Sequence, residues 1–182
     1  MHEAVFLDRD GVLNRGFIRN GKSYAPRKIE DFKLLPYAVI SVEKLIKNGF
    51  LVIVVTNQPD INNQLVTLEV VNEMHSVLRK KTKITDIFLC PHSKNENCSC
   101  RKPKPGMLLD AAKKYNIDLR KSFMVGDQAS DIEAGLEAGC KAIFLNRHYQ
   151  ELRPVNQDKT FFSINLATHY IIKQKNQTNA QL

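Results

Sequence analysis

Apolar runs alternate along the chain with segments of helical periodicity. Five runs, at residues 4–7, 50–55, 84–89, 122–125 and 142–145, are nearly continuous, which is typical of parallel strands covered on both faces. Helices are predicted between them at 37–48, 65–83, 105–116 and 131–138; Asn48-Gly49 and Gly139 are stop signals for the first and the last. This alternation predicts an α/β fold with a Rossmann-like, doubly wound parallel sheet.

Polar residues follow four of these runs at the point where each predicted strand ends. The four segments are Asp8-Arg9-Asp10-Gly11, Thr56-Asn57-Gln58, Cys90-Pro91-His92 and Gly126-Asp127. In a doubly wound sheet the ligand binds outside the carboxyl ends of the strands. The sequence therefore predicts that these side chains meet at one edge of the sheet.

The pair Asp8 and Asp10 has the composition of an acid–base and nucleophile centre. Asp8 can act as a nucleophile and metal ligand, while Asp10 can protonate a leaving oxygen and then activate water. Two solvated acids in a turn after a strand would give the same local pattern. The other strand ends therefore have to support the functional interpretation.

Further residues supply the rest of a phosphoryl-transfer site. Thr56 offers a hydroxyl to a phosphoryl oxygen, and Lys102 a fixed cation that offsets the repulsion between a carboxylate and a phosphate dianion. Asp127 completes a hard oxygen site for Mg²⁺ with Asp8 and the backbone carbonyl of Asp10. Asp131, one helical turn later, either orients that site or caps the helix, and the sequence leaves both readings open.

Three of the four cysteines fall within eleven residues, beside a histidine. Three thiolates and one imidazole, from Cys90, His92, Cys98 and Cys100, suit tetrahedral Zn²⁺. All four positions are filled by protein, so the zinc is predicted to be structural and to fix the loop that leads into Arg101 and Lys102. Cys140 stands apart and is predicted to be a core residue.

Net charge and composition narrow the classes of partner. A net charge of +8 suits an enzyme of anionic phosphate esters and keeps a nucleic-acid 3′-phosphatase open. Stretches of interleaved aromatic and basic residues, which would stack bases, are absent from the sequence. The chain enters its first strand without a basic leader segment, and no apolar run approaches the ~20 residues of a membrane span. We therefore expect a cytoplasmic protein with neither a membrane nor a nucleic-acid partner.

The motifs form a series along the chain, each at a strand end or helix start: two aspartates, a threonine, a lysine, and Gly126-Asp127 with Asp131. This series resembles that of the haloacid dehalogenase superfamily of phosphatases. The resemblance covers residues 3 to about 146 and implies Asp8 as nucleophile of a phosphoaspartyl intermediate, Asp10 as proton donor, and Mg²⁺ as cofactor. It also implies that Thr56 and Lys102 stabilise the phosphoryl group.

The zinc loop makes the chain similar to the D,D-heptose 1,7-bisphosphate phosphatase family. The supporting segments run from Phe6 to Asn14, from Val55 to Gln58, from Cys90 to His92 and from Cys100 to Leu109. This resemblance implies removal of the C7 phosphate of D-glycero-D-manno-heptose 1,7-bisphosphate in nucleotide-activated heptose synthesis. The related zinc-loop phosphatases of histidinol phosphate remain the alternative, favoured by the five-residue spacer between His92 and Cys98.

Several positions depart from the family pattern where substrate would be read. Residues 59–64 replace the usual glycine- and arginine-containing loop, and Gln128 stands where the family has lysine. The segment 14–32 is longer than usual and offers Arg19, Lys22 and Tyr24 to a second phosphate. The residues predicted to contact substrate are Tyr24, Asn57, Arg101 and Gln128.

The intervals between the motifs leave no room for a cap domain. We expect one capless phosphatase domain over residues 1–172, a frayed tail over 173–182, and a monomer. Specificity would then come from the loops around an open site.

Overall fold

A central six-stranded sheet organises the molecule in the computed structural model, which describes residues 1–179. Its strands, all parallel, lie in the order β5-β4-β1-β6-β7-β8. They are β1 (Ala4–Leu7), β4 (Leu51–Asn57), β5 (Asp86–Cys90), β6 (Phe123–Gly126), β7 (Lys141–Leu145) and β8 (Lys159–Phe161), and a separate hairpin joins β2 (Phe17–Arg19) to β3 (Lys22–Tyr24). The predicted parallel α/β sheet is confirmed.

In the described part of the chain, five helices cover the sheet. They are α1 (Ala38–Lys47), α2 (Leu68–Lys81), α3 (Gly106–Tyr115), α4 (Ala129–Glu137) and α5 (Ile164–Asn179), with short 3-10 turns at Ile29–Asp31, Lys94–Glu96 and Leu119–Lys121. Among these described elements, two large apolar clusters and a small third one fill the space between helices and sheet. Cys140 is buried in one of the large clusters, as predicted. Within residues 1–179, no helix combines the length and apolar character that crossing a bilayer requires.

The chain order of the strands fixes where a site can form. From β1 the chain builds β4 and β5 on one side of the sheet and then crosses over to build β6, β7 and β8 on the other side. Such a switch point opens a crevice at the carboxyl edge of a parallel sheet. Asp8 follows β1 directly at that point.

Helix α5 differs from the predicted frayed tail. Residues 173–179 continue the helix instead, while the remaining predicted tail residues, 180–182, lie outside the described part of the chain. Buried side chains at i, i+3, i+4 and i+7 anchor its first turns, namely Ile164, Ala167, Thr168 and Ile171. Lys175 extends this anchorage through an ion pair with Glu3, at 2.9 Å.

The predicted elements agree with the observed ones to within a few residues, with two consequences for the site. Strand β4 runs on through Asn57, so Thr56 lies within the strand rather than after it. Helix α4 begins at Ala129, which places Asp131 in its first turn. The hairpin β2–β3, strand β8 and helix α5 were not predicted.

Candidate active site

Asp8 lies at the centre of a buried charge cluster. Its side chain is only 11% exposed, and its Oδ1 accepts a 2.7 Å hydrogen bond from Lys102 Nζ. Burial raises the pKa of the Asp8 carboxyl to about 7, because desolvation disfavours the charged form more than the nearby ammonium favours it. A carboxylate of this kind is held in place but poorly solvated, which suits a nucleophile.

Lys102 links two acidic side chains from different elements. Its buried Nζ donates to Asp8 Oδ1 and to the Val55 carbonyl, both at 2.7 Å, and lies 2.6 Å from Asp131 Oδ1. Burial pulls the pKa of Lys102 down, but the Asp131 and Asp8 carboxylates together hold it above its ordinary value. The side chain therefore stays a cation beside Asp8.

Asp131 has both roles that the sequence left open. Its Oδ2 accepts from the backbone amides of Asp127 and Gln128, at 3.1 and 3.0 Å, and so caps helix α4. Its Oδ1 pairs with Lys102. The missing side chain of Gly126 makes this possible, because a Cβ there would lie 2.1 Å from the Asp131 Cβ.

Asp127 presents one free carboxylate oxygen. Its Oδ2 accepts a 2.8 Å hydrogen bond from the Tyr149 hydroxyl, whereas its buried Oδ1 has no hydrogen-bond partner among residues 1–179. Burial, together with the negative charges of Asp8 and Asp131, raises the Asp127 pKa well above its ordinary value. A buried acceptor without a donor is costly, so this oxygen indicates an absent positive group.

The donor set fits a divalent cation. Oxygens of Asp8, Asp127 and Asp131 lie within 4.8 Å of one another. These three carboxylates and the single Lys102 ammonium carry a formal charge of −2, which a divalent cation would balance. Since Asp131 is committed to Lys102 and to two amides, Asp8 and Asp127 are the side chains left to hold Mg²⁺. The Asp10 carbonyl as a third ligand stays a prediction.

Asp10 is oriented by three neighbouring side chains. Arg9, which is fully buried, donates to both of its oxygens at 3.0–3.2 Å; Asn14 Nδ2 donates at 2.8 Å and Gln58 Nε2 at 2.6 Å. Gln58 Nε2 also donates to the hydroxyl of Thr56, at 2.9 Å. One amide thus ties the end of β4 to the carboxylate that follows β1.

A cavity of about 330 Å³ opens in front of Asp8. All four residues predicted to contact substrate line it: Tyr24, Asn57, Arg101 and Gln128. Three of them are already engaged. Gln128 Nε2 donates to Glu151, and Arg101 Nη1 donates to the His92 carbonyl. Asn57 bonds the Lys102 backbone with both ends of its amide, at 3.0 and 3.1 Å. Asn57 therefore positions the strand end and Lys102 relative to each other. Arg19 lines an adjacent cavity of about 280 Å³ that also reaches Tyr24.

The cysteine and histidine side chains converge as the sequence predicts. The sulfur–sulfur distances among Cys90, Cys98 and Cys100 are 3.1–3.6 Å, and His92 Nδ1 lies 3.5 Å from Cys90 Sγ and 3.4 Å from Cys100 Sγ. Ligands about 2.3 Å from a tetrahedral zinc lie about 3.8 Å from one another, so the cluster fits Zn²⁺ with little change. Arg101 Nη1 donates to the His92 carbonyl at 2.9 Å, which couples the cavity to the zinc loop.

The sequence analysis missed four residues at this site: Arg9, Asn14, Gln58 and Tyr149. The first three lie inside the motifs themselves, and a polar residue next to a reactive one was the available signal. Tyr149 gave no signal, since it lies in the loop after β7, far along the chain from the residues it contacts.

The fold and the site together define the class of protein. A parallel α/β sheet with an aspartate pair after its central strand, a buried lysine beside the first aspartate, and an aspartate after β6 is the arrangement of the haloacid-dehalogenase-like hydrolases. A family model described as HAD-hydrolase-like matches residues 99–154. The solved D,D-heptose 1,7-bisphosphate phosphatase of B. bronchiseptica, complexed with magnesium and phosphate, superposes with a TM-score of 0.82 at 24% identity, covering 94% of this chain and 99% of that one.

Curated relatives define the family within this class. The chain is 38% identical to the D-glycero-alpha-D-manno-heptose-1,7-bisphosphate 7-phosphatase of Photorhabdus laumondii, over 79% of this chain and 81% of that protein. It is 37% identical to the corresponding beta-anomer phosphatase of Helicobacter pylori, over 77% and 81%. The chain therefore belongs to the D,D-heptose 1,7-bisphosphate phosphatase family.

Proposed function

We propose that this protein is a Mg²⁺-dependent phosphatase that removes the C7 phosphate of D-glycero-D-manno-heptose 1,7-bisphosphate. The observation that carries the chemistry is the buried Asp8, paired with Lys102 at 2.7 Å and facing a cavity of about 330 Å³. The relatives at 37–38% identity support the substrate.

The first half-reaction would use Asp8 as nucleophile. A carboxylate oxygen of Asp8 attacks phosphorus, the bond from phosphorus to the sugar oxygen breaks, and Asp10 donates a proton to that oxygen as it leaves. Asp10 accepts hydrogen bonds from Arg9, Asn14 and Gln58, and these would fix the orientation of its carboxyl group during the proton transfer. The products are the dephosphorylated sugar oxygen and an aspartyl phosphate.

The second half-reaction would regenerate Asp8. Asp10, now ionised, takes a proton from water, and the resulting hydroxide attacks phosphorus and releases inorganic phosphate. Lys102 and the Thr56 hydroxyl would stabilise the charge that builds on the phosphoryl oxygens in both steps. Bound Mg²⁺, held by Asp8 and Asp127, would supply the positive charge that offsets repulsion between carboxylate and phosphate.

Phosphate release from a panel of substrates tests the proposal. Both anomers of heptose 1,7-bisphosphate belong in the panel, because the relatives act on different ones by name. We expect turnover of at least one anomer to exceed that of histidinol phosphate. A preference for histidinol phosphate would overturn the substrate assignment and leave the phosphatase chemistry intact.

Asp8→Asn tests the nucleophile. This variant should show no phosphate release above background, because an amide oxygen does not form the acyl phosphate. Asp110→Asn is the matched control, since Asp110 is an exposed carboxylate on α3. Full turnover by Asp8→Asn would contradict the mechanism.

A further inference from the structure

The Asp127 carboxylate is divided between two environments. One oxygen, Oδ2, accepts a hydrogen bond from the Tyr149 hydroxyl at 2.8 Å, and the other, Oδ1, is buried and lacks a hydrogen-bond partner in the part of the chain that the structure describes. A carboxylate that is free to rotate can present either oxygen, or both, to a cation. Here one oxygen is already engaged by a neutral donor.

The loop that carries Tyr149 is tied to the elements around the site. The Arg147 guanidinium donates to the carbonyl of Gly11 at 2.8 Å and to that of Phe162 at 3.0 Å. The backbone N–H of Gln150 donates to the Gly21 carbonyl at 2.8 Å. These bonds anchor the loop two residues before Tyr149 and one residue after it. The tyrosine hydroxyl is thus held by its own loop and not by Asp127 alone.

Gly11 provides the space in which the two side chains meet. It has φ +84°, and a Cβ at this position would lie 1.7 Å from Asp127 Oδ2 and 2.9 Å from the Tyr149 hydroxyl oxygen. No other residue type fits against the carboxylate and the hydroxyl in this arrangement. The turn after β1 therefore accommodates the pair as well as the aspartates.

We infer that Tyr149 is a positioning residue that limits Asp127 to one-oxygen metal ligation and so favours Mg²⁺ over Ca²⁺. Mg²⁺ requires nearly octahedral geometry and short contacts, whereas Ca²⁺ accepts bidentate carboxylates and higher coordination numbers. A hydroxyl on Oδ2 leaves only Oδ1 for the cation. The inference rests on the proposed function, because it takes Asp127 as a metal ligand.

Removal of the hydroxyl should change metal preference rather than folding. In Tyr149→Phe the ring remains, but Oδ2 becomes free to join Oδ1 on a larger ion. Loss of a hydrogen-bonded partner of a metal ligand typically weakens binding by 10-fold or more. We expect Mg²⁺ binding to weaken about 10-fold while Ca²⁺ binding changes much less.

Metal competition measures this without turnover. The zinc-loaded chain is titrated with Mn²⁺, free Mn²⁺ is read by electron paramagnetic resonance, and Mg²⁺ or Ca²⁺ is then added to displace it. The ratio of Ca²⁺ to Mg²⁺ dissociation constants should fall about 10-fold in Tyr149→Phe. Tyr170→Phe is the control and should leave the ratio unchanged, because the Tyr170 ring packs on Phe161 at 5.5 Å, in the interface between β8 and α5.

The outcomes separate this inference from the proposed function. An unchanged ratio in Tyr149→Phe, or an equal change in Tyr170→Phe, would overturn the role of Tyr149. Asp127→Asn should lose Mn²⁺ binding; if it binds Mn²⁺ like wild type, the metal site itself is wrong. A melting temperature within a few degrees of wild type would show that Tyr149→Phe is folded. A large fall in its melting temperature would indicate a structural role and contradict the positioning role.

Discussion

At the scale of single residues, Lys102 is the cation on which Asp8 and Asp131 both depend. Removing one partner of a buried ionic cluster leaves charge without compensation and typically costs about 3–5 kcal/mol. We therefore predict that Lys102→Met loses phosphate release and several kcal/mol of unfolding free energy, measured by urea denaturation. Lys113→Met, at an exposed position on α3, should lose neither.

The loss of unfolding free energy in Lys102→Met should depend on pH in a definite direction. Burial raises the pKa of Asp8 to about 7 even with Lys102 beside it, and loss of the Lys102 cation would raise the Asp8 pKa further, so protonation of Asp8 would favour the folded state. The stability difference between wild type and Lys102→Met should narrow as pH falls from 8 to 5. A difference that widens toward low pH would contradict the assignment of Lys102 as the compensating cation.

His75, on α2, provides an acid-sensitive support for Asp10. It lies 3.2 Å from Arg9 Nη1, and burial, reinforced by the positive charge of Arg9, lowers the pKa of His75 to about 4. The neutral ring can accept a hydrogen bond from Arg9, which in turn holds Asp10. Protonation of His75 would place two cations side by side in the core.

We predict that His75 makes the fold less stable in mild acid. Its folded-state pKa lies below the unfolded value of 6.5, so only the unfolded chain takes up the proton as pH falls between them. This stability contribution, about 3 kcal/mol, is present above pH 6.5 and lost by about pH 4. Unfolding free energies of wild type and His75→Gln, compared from pH 7 to 5, should show the steeper loss in wild type. Parallel curves would refute the prediction, and His169→Gln, exposed on α5, serves as the control.

At the scale of elements, the zinc loop connects structure to chemistry. The cluster of Cys90, His92, Cys98 and Cys100 directly precedes Arg101 and Lys102. The loop has additional supports, since Lys104 Nζ donates to the carbonyls of Asn97 and Cys98. Arg101 also joins the two ends of the loop through its hydrogen bond to the His92 carbonyl, and a bound zinc would join Cys90 to Cys100 directly.

We predict that Cys98→Ser loses both bound zinc and most of the phosphatase activity. Without the fourth ligand the loop no longer fixes Lys102 next to Asp8, so hydrogen exchange should increase over residues 91–104 before it does in β1 or β6. Metal analysis, phosphate release and hydrogen exchange measured on one preparation check this. Cys140→Ser, in the core and outside the cluster, should keep its zinc. Full activity in zinc-free Cys98→Ser would show that the loop is dispensable.

The elements that could be predicted from the sequence are those that have a recognisable local pattern of apolar and polar residues. Continuous apolar runs identified five strands, and the residues after them identified most of the site, because parallel strands bring their carboxyl ends together. Strands β2 and β8 have three residues each, too few for a pattern to develop, and all three residues of β2 face solvent to a large extent. Helix α5 had an apolar spacing from Ile164 to Ile171, but its polar second half was interpreted as tail. Tyr149 and Glu151 depend on a loop packing against the hairpin, and this contact leaves no trace in local sequence.

At the scale of the whole molecule, the net charge of +8 has a kinetic consequence. The three buried carboxylates make the centre of the site acidic, whereas Arg101, Lys94 and Lys104 line a second cavity of about 330 Å³ that shares Lys102 with the first. A basic surround attracts a bisphosphate, which carries two anionic phosphate groups, from a distance. Salt weakens this attraction as the screening length falls from about 30 Å at 0.01 M to about 8 Å at 0.15 M.

We predict that kcat/KM for heptose 1,7-bisphosphate falls steeply between 0.01 and 0.3 M salt while kcat stays nearly constant, because screening affects approach and not the enclosed reaction. p-Nitrophenyl phosphate has one phosphate group and no other charge. Its kcat/KM should therefore fall less steeply with salt under the same conditions. Equal slopes for the two substrates would mean that the basic surround does not select the bisphosphate.

Added duplex DNA tests whether the positive charge serves nucleic-acid binding instead. If the basic surface binds nucleic acid, DNA inhibits at low salt and the inhibition disappears at high salt. The candidate site is a cavity bordered by the zinc loop, which suits a small anion, so we expect DNA to leave kcat/KM unchanged at 0.01 M salt as well as at 0.15 M.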